Sequence, residues 1–372
     1  MTQPDSGDDH AWMARALRLA ERGLYGCDPN PRVGCVVVRD DVVVGEGWHQ
    51  HQGGAHAEVA ALNAAGASAQ GATAYITLEP CNHHGRTPPC SEALVAAGVA
   101  RVVVAASDPN PIAGGGAAHL RAAGVTVREG VAEAEAESLN PGFFKRHREG
   151  MPWLRLKVAA SLDGRTAMAS GESRWVTGDA ARADVHRWRA RSSAVLTGSE
   201  TVLADDPQLT ARGTEAVRQP RRYVLDTHLR TPVDARLLRE QGTPTLFCSW
   251  PDAERRSALE AAGAAVVPLP AAPEGGVDAM AALAAMARDG EANEVLAECG
   301  PTLGGRLVQA GLVDELIVYQ APHLMGDGAR PLLRLPGLET MAERLPLAIS
   351  DLRVVGDAIR VTARPHLLTG DE

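Results

Sequence analysis

Short valine-rich runs alternate with alanine-rich amphipathic segments along the chain, and no other feature limits the fold as much. Residues 33–38 carry no polar side chain. A run of that length without polar alternation reads as a strand covered on both faces. Asp40-Asp41 turns it into a second run at 42–44. Ahead of it, Met13, Ala16, Leu17 and Ala20 fall at helical spacing, with Gly23 placed to end the helix. Behind it come an alanine-rich helix ending at Gly66, a strand at 73–78 and a helix at 91–97 closed by Gly98. A strand at 101–105, a short helix at 119–124 and a strand at 125–127 follow. Strands separated by helices predict an α/β sheet with helices over its faces.

This pattern closes near residue 140 and restarts at 153. Between them, KRHREGMP (145–152) is hydrophilic and contains proline, which predicts a boundary with few core contacts. Two domains, 1–148 and 149–372, are expected, in keeping with 372 residues at roughly 150 per domain. In the second, strands are expected at 153–159, 194–197, 223–226, 244–247, 265–268, 295–298 and 315–320, with a helix at 278–288 among them. No internal repeat interrupts the pattern.

The chain carries 46 acidic against 37 basic residues, a formal charge of −9. That excludes the broad basic footprint nucleic-acid binding needs, but leaves room for a local basic pocket that takes a small phosphorylated molecule. Only Lys145 and Lys157 are lysines, so 37 − 2 = 35 of the cations are arginine. The longest apolar stretch, 94–106, is broken by Arg101 and falls short of the ~20 residues a membrane span requires. The acidic start MTQPDSGDDH has no apolar core, so no secretory leader is expected and a cytoplasmic location is. Six cysteines at 27, 35, 81, 90, 248 and 299 are too sparse for a disulfide scaffold and suit metal ligands or buried thiols.

The strongest chemical signal is His56-Ala57-Glu58, followed by Glu79-Pro80-Cys81 and then Cys90. Zinc takes imidazole nitrogen and thiolate sulfur in a tetrahedral shell. One histidine and two cysteines supply three ligands and leave a vertex for water, the layout of a catalytic site. Zinc lowers the pKa of its bound water toward ~7. Cys90 is expected at a helix start, where unpaired N–H groups favour a thiolate. Glu58, two residues from His56, points elsewhere and is free to carry protons. The arrangement resembles the H-x-E…P-C…C signature of zinc nucleobase deaminases, although eight residues rather than two separate the cysteines. A structural zinc, with His83 closing a shell of His56, Cys81 and Cys90, is the competing reading.

Together with PNPRVG (29–34), HAE (56–58), TLEPCNHHGRTPPC (77–90) and DPNP (108–111), these residues resemble the bifunctional deaminase/reductase family of riboflavin biosynthesis. The wide cysteine spacing is that family's variant. The second half resembles it through KVAASLDGRTA (157–167), SGESRWVT (170–177), TVLADDPQLT (201–210) and ECGPTLGGRLVQAGLVDEL (298–316). The resemblance implies a cytidine-deaminase-like three-layer N-terminal domain and a dihydrofolate-reductase-like C-terminal domain. The first would deaminate a diaminopyrimidinone ribosylamino phosphate with zinc held by His56, Cys81 and Cys90 and Glu58 moving protons. The second would use NADPH to reduce the ribosyl chain to ribityl. Asn30 and His49 would contact the pyrimidine; otherwise Asn30 caps a turn and His49 is a surface histidine.

In the second half, residues 300–305 form a glycine-rich turn ahead of a helix expected at 306–310. Such a turn lets backbone N–H groups approach a pyrophosphate, though alone it reads as plain loop. The resemblance implies that Gly300, Thr302, Leu303, Gly304 and Gly305 contact NADPH, with Ala159, Trp175, Thr201 and Asp205. It implies Ser173, Arg189, Leu209, Arg212 and Glu298 for the substrate, with Lys157 a further candidate because guanidinium does not replace a compact ammonium. Asp205 is a candidate for proton delivery, and Asp205-Asp206-Pro207 also suits a turn. A dimer or tetramer is expected. Cys27, Cys35, Cys248 and Cys299 read as buried hydrophobes. Two other classes compete: a nucleoside or tRNA deaminase with an accessory second domain, and a regulatory protein with an inert zinc module.

Overall fold

The computed structural model describes residues 7–85, 88–214 and 218–365. The chain divides into two compact units, Met1–Gly150 and Met151–Glu372.

In the first unit, α1 (Gly7–Glu21) precedes the hairpin β1 (Gly34–Arg39) and β2 (Val42–Trp48). Then follow α2 (Ala57–Ala65), β3 (Thr73–Leu78), α3 (Cys90–Ala96), β4 (Arg101–Ala106), α4 (Gly116–Ala122), β5 (Thr126–Arg128), α5 (Glu133–Leu139) and α6 (Pro141–Glu149). The sheet order is β2-β1-β3-β4-β5. It is antiparallel at β2-β1 and β1-β3 and parallel beyond. Alternate strand residues serve opposite faces. Cys35, Val37, Ile76 and Val104 pack with Ala61 of α2, Leu94 of α3 and Leu120 of α4. Val36, Val38, Tyr75 and Val103 pack with Met13 of α1 and Phe143 and Phe144 of α6. Both faces are covered, which is why the run at 33–38 has no polar position; each such side chain contributes about 1.5–3 kcal/mol on burial.

The hydrophilic stretch at 145–152 is not a linker over its first five residues. Residues 145–149 complete α6, which buries Phe143 and Phe144 and turns its basic residues outward. The break comes at Gly150, in the left-handed region at φ 71. Helix α1 ends at Glu21, two residues before the glycine expected to close it.

The second unit begins with β6 (Trp153–Ser161), β7 (Arg165–Ala167), α7 (Asp179–Arg191), β8 (Ala194–Gly198), α8 (Ser199–Asp205), β9 (Arg221–Leu225) and α9 (Arg236–Arg239). It continues with β10 (Thr245–Cys248), α10 (Ala253–Ala261), β11 (Ala265–Pro268), α11 (Ala279–Arg288), β12 (Glu294–Glu298) and α12 (Pro301–Gln309). The last elements are β13 (Glu315–Ala321), β14 (Arg330–Pro331), β15 (Leu347–Val355) and β16 (Ala358–Pro365). Nine strands form one sheet, β11-β10-β9-β8-β12-β6-β13-β16-β15, parallel from β11 to β13 and antiparallel at its last two pairings. Leu154, Leu156 and Val295 face Leu283 and Met286 of α11 and Leu307 of α12; Leu296, Ile317 and Tyr319 face Ala181 and Val185 of α7. The parallel order places the carboxyl ends of β8, β12 and β6 side by side, the edge at which open α/β sheets bind ligands.

The glycine-rich segment is not a loop. Residues 301–305 are already helical, and Gly300 is the extended N-cap of α12 (φ −71, ψ 169). A Cβ at Gly304 would lie 2.9 Å from Leu333 Cδ2, and one at Gly305 would lie 1.9 Å from the Arg334 carbonyl oxygen. These two glycines admit a neighbouring chain segment, a packing role.

Candidate functional site

In the first unit, α2 lies directly on the backbone of β2. A Cβ at Gly45 would sit 2.2 Å from the Ala61 carbonyl oxygen, and one at Gly47 would sit 2.4 Å from that of Ala57. This contact fixes where α2 begins. His56 is its N-cap, in extended conformation (φ −68, ψ 158), one residue outside the helix. Cys90 is the first residue of α3, behind Pro89. Cys81 lies between β3 and α3.

His56 Nδ1 is 3.3 Å from Cys90 Sγ and 3.6 Å from Cys81 Sγ, and the Cys90 N–H donates to Cys81 Sγ at 3.4 Å. Their ligand atoms all lie within 4.8 Å of one another, and among the described residues this is the group of such donors that could hold a metal. One imidazole nitrogen and two sulfurs at this spacing fit zinc. His83 is not in the group, and its Nδ1 is buried without a partner. The hydrogen bond with Cys90 holds the Cys81 thiol down at about 4, and the same bond raises Cys90. Glu58 is 4% exposed, and burial pushes its carboxyl up to about 7.

Asn30 and His49 meet beside the cluster. Asn30 Nδ2 is 3.1 Å from His49 Nε2, and His49 Nδ1 is 3.0 Å from the Ala55 carbonyl oxygen. The His49 and His56 rings pack edge to face at 5.6 Å. His49 is buried, not at the surface, and burial lowers its pKa. Sequence reasoning gave Glu79 no separate role. Its carboxylate accepts the N–H groups of Asp108, Gly115 and Ala117 at 3.0–3.2 Å, tying the 108–117 segment to the residue two before Cys81. Cys27 is not partnerless, since its thiol donates to the His49 carbonyl at 2.8 Å. Cys248 Sγ lies 3.9 Å from the Val267 carbonyl oxygen.

In the second unit, Glu298 ends β12. Arg189 of α7 donates to both its oxygens, Nε to Oε1 at 2.5 Å and Nη2 to Oε2 at 3.0 Å. Lys157 Nζ lies 4.0 Å from Oε2. Burial would raise the Glu298 carboxyl, yet the Arg189 and Lys157 charges hold it down at about 2. Burial in turn lowers Lys157. Arg189 also donates to the Thr210 carbonyl at 3.1 Å, and Arg212 donates to Thr210 Oγ1 and Gln208 Oε1, each at 2.8 Å. Leu209 between them is buried at φ 56, a strained value for a branched side chain. His186, absent from the sequence-based set, has Nδ1 3.1 Å from the Thr210 carbonyl oxygen and accepts the Arg212 N–H at 3.2 Å. Its place one turn before Arg189 on α7 was the available signal.

Thr201 and Asp205 lie on α8, and Arg174 donates to the Asp205 carbonyl at 2.6 Å. That bond draws the segment of Ser173 and Trp175 toward α8; Trp175 is 68% exposed beneath the Arg182 guanidinium. In the Asp-Asp-Pro turn, Asp206 is the residue that binds backbone, accepting the Arg236 N–H at 2.8 Å. A Cβ at Gly198 would meet Leu303 Cδ2 at 3.1 Å, so the starts of α8 and α12 adjoin. Ala159 shares a strand face with Lys157. The Thr302 and Leu303 N–H groups open α12.

The fold and the two clusters define a zinc-type deaminase unit followed by a reductase unit in one chain. Residues 6–106 match the family described as the cytidine and deoxycytidylate deaminase zinc-binding region, and residues 152–359 match the RibD C-terminal domain. The chain is 49% identical over 370 residues to the riboflavin biosynthesis protein RibD of Escherichia coli (strain K12), covering 94% of this chain and 97% of that one. It is 43% identical to RibD of Haemophilus influenzae, covering 97% and 98%. Among solved structures, Acinetobacter baumannii RibD superposes with a TM-score of 0.89 at 46% identity, covering 96% of this chain and 99% of that one. A diaminohydroxyphosphoribosylaminopyrimidine deaminase/5-amino-6-(5-phosphoribosylamino)uracil reductase from Thermotoga maritima gives 0.83 at 30% identity, with the same coverage. The chain belongs to the RibD family, the bifunctional deaminase/reductases of riboflavin biosynthesis.

Proposed function

We propose that residues 1–148 deaminate the 2,5-diamino-6-ribosylamino-pyrimidinone 5′-phosphate and that residues 149–372 reduce the ribosyl chain of the product to ribityl with NADPH. The convergence of His56, Cys81 and Cys90 beside buried Glu58 carries this reading. Zinc held by the three ligands supplies a water acidified toward ~7. Glu58, whose pKa near 7 suits both directions of transfer, takes the water proton, delivers it to a ring nitrogen and assists departure of ammonia. Asn30 and the neutral His49 ring orient the pyrimidine.

In the reductase unit, NADPH supplies the reducing equivalents. The Thr302 and Leu303 N–H groups opening α12 behind Gly300 would hold its pyrophosphate, with Gly304 and Gly305 letting the helix pack in place, and Ala159, Trp175, Thr201 and Asp205 would line the remainder. Arg189 and Arg212 take the substrate phosphate, with Ser173, Leu209, Lys157 and Glu298 around the sugar. Asp205 delivers the proton. Leu347, Ile349, Leu352 and Val354 of β15 are 47–77% exposed, an apolar edge suited to a second copy of the chain in a dimer or tetramer. Six free cysteines, two of them zinc ligands, suit a reducing cytoplasm.

Purified chain fed the diaminopyrimidinone phosphate is expected to release ammonia without NADPH, and to oxidise NADPH only after deamination. Ammonia release from cytidine in preference to this substrate would overturn the assignment.

A further inference from the structure

The segment 162–175 leaves the carboxyl end of β6, just beyond Ala159, and runs to Ser173 and Trp175. Little apolar packing sets its course. Ala167 is buried, but Leu162, Met168 and Trp175 are 41–68% exposed. Its one regular element, β7, pairs with β14 over three residues against two, and an isolated two-stranded ribbon is marginal in water. The segment 322–331 runs beside it, so that a Cβ at Gly328 would lie 3.8 Å from Ala169 Cβ.

Asp163 joins the two segments. Its carboxylate accepts the Ser161 hydroxyl at 2.5 Å, the Met325 N–H at 3.1 Å and the Gly326 N–H at 2.8 Å. These bonds, the Ser161 one foremost, hold the carboxyl down at about 2, so it is ionised at neutral pH. N–H groups bond more strongly to an ionised acceptor than to a neutral one. A second charged link between the segments, Arg165 Nη2 to Asp327 Oδ1, spans 4.0 Å at a fully exposed Asp327, and such a pair contributes little. At the far end, Arg174 donates to the Asp205 carbonyl of α8. Residues 162–175 are thus a strap fastened by polar bonds at both ends, across the edge of the sheet that carries the reductase cluster.

We propose that Asp163 is a positioning residue of the reductase. It docks the start of the strap on the 322–331 segment, and the strap in turn presents Ser173 and Trp175 to substrate and cofactor. Asp163 acts through the strap and not on the reacting atoms. The assignment requires that Ser173 and Trp175 line the reductase site, as proposed above.

Asp163→Ala and Trp175→Ala are compared singly and together in the full chain. Calorimetric titration with NADPH reads binding, and rates on deaminated substrate read KM and kcat. Asp163→Ala is expected to weaken NADPH binding and raise its KM about tenfold, with kcat at saturation within about twofold of the parent. Hydrogen–deuterium exchange should quicken in peptides spanning 165–175 and stay unchanged in those spanning β12. Asp163→Asn keeps one acceptor oxygen and should fall between parent and alanine. Trp175→Ala should also weaken NADPH about tenfold, and the double variant should stay near tenfold instead of reaching about a hundredfold, because both changes act through one strap. NADPH binding unchanged in Asp163→Ala, or effects that multiply in the double variant, would overturn the assignment. If Trp175→Ala alone weakens binding, the site reading stands and Asp163 is a turn residue only. If Asp163→Ala alone weakens it, the placing of Trp175 in the site fails, and the role given to Asp163 fails with it. Should Asp163→Ala not fold, Asp163→Asn against the parent decides by the same readouts.

Discussion

Replacing Arg189 by glutamine removes a charge from the reductase cluster with little change in size. Glu298 is buried, which by itself favours its neutral form. The Arg189 fork and the Lys157 ammonium overcome that preference and hold the carboxyl at about 2 against an ordinary 4.5. At about 1.4 kcal/mol per pH unit, the ionised carboxylate carries about 3 kcal/mol of folding stability at neutral pH. A carboxyl depressed in the folded state gives stability that is full above the unfolded value near 4.5 and is lost as pH falls through about 2. Arg189 supplies the larger part, donating at 2.5 and 3.0 Å where Lys157 stands at 4.0 Å. Arg189→Gln is therefore expected to cost about 3 kcal/mol at neutral pH, roughly 6–12 °C for a unit of this size. The difference from the parent should shrink steadily below pH about 4.5. Urea unfolding read by hydrogen–deuterium exchange in peptides spanning β12 reports on this unit separately from the other. A difference unchanged between about pH 7 and pH 3, or below about 1 kcal/mol at neutral pH, would refute the reasoning.

Glu58→Gln is expected to retain zinc by metal analysis and to lose ammonia release by about 10²–10⁴-fold; loss of the metal would make Glu58 part of its binding. Cys81→Ser should lose metal and deamination together, yet keep NADPH oxidation with substrate that is already deaminated. Gly47→Val would force a side chain against the Ala57 carbonyl and shift the start of α2, so lowered zinc content with a folded first unit is expected. Arg155 is buried between Glu294 and Glu315, with its Nε 2.6 Å from Glu315. Arg155→Met should cost about 3–5 kcal/mol in denaturant unfolding, because it leaves two buried acids short of a cation.

Elements covered on both faces were legible because their residues admit no polar position. The strand at 73–78 and the strand at 265–268 have the bounds expected of them. Helix α7 was not legible. Its sequence DAARADVHRWRAR offers only Ala181, Val185 and Trp188 as a thin apolar stripe, and the same face buries Asp184, which accepts hydrogen bonds from Tyr319 and Arg360 at 2.7 Å. Its hydrogen bonds come from distant residues, and inside the helix it has only the Arg187 ion pair at 3.8 Å, so the buried acid gives little local signal. The β15-β16 hairpin was missed for the converse reason, since the apolar side chains of β15 face outward; the Gly356-Asp357 turn was the overlooked signal. The three zinc-ligand candidates were readable from residue type and spacing. Their support was not, because a Glu79 carboxylate accepting three backbone N–H groups and a His49 ring linked to Asn30 depend on contacts across long stretches of chain.

Both units solve the same positioning problem in the same way. Each sets a candidate site side chain at the carboxyl end of a buried strand, or just past it, and opens a helix nearby from an extended N-cap. Cys81 follows β3, and Glu298 ends β12. His56 caps α2, and Gly300 caps α12. The strands are rigid because they are covered on both faces, and the helices are held close by glycines in their own backbone or in the strand beneath. At Gly47 the missing Cβ lets α2 lie on β2, and at Gly305 it lets a neighbouring segment lie on α12. A side chain at either glycine would move a helix start away from a strand end without touching a reactive group. Activity in both units is therefore expected to respond to substitutions at packing positions several residues from the proposed site residues.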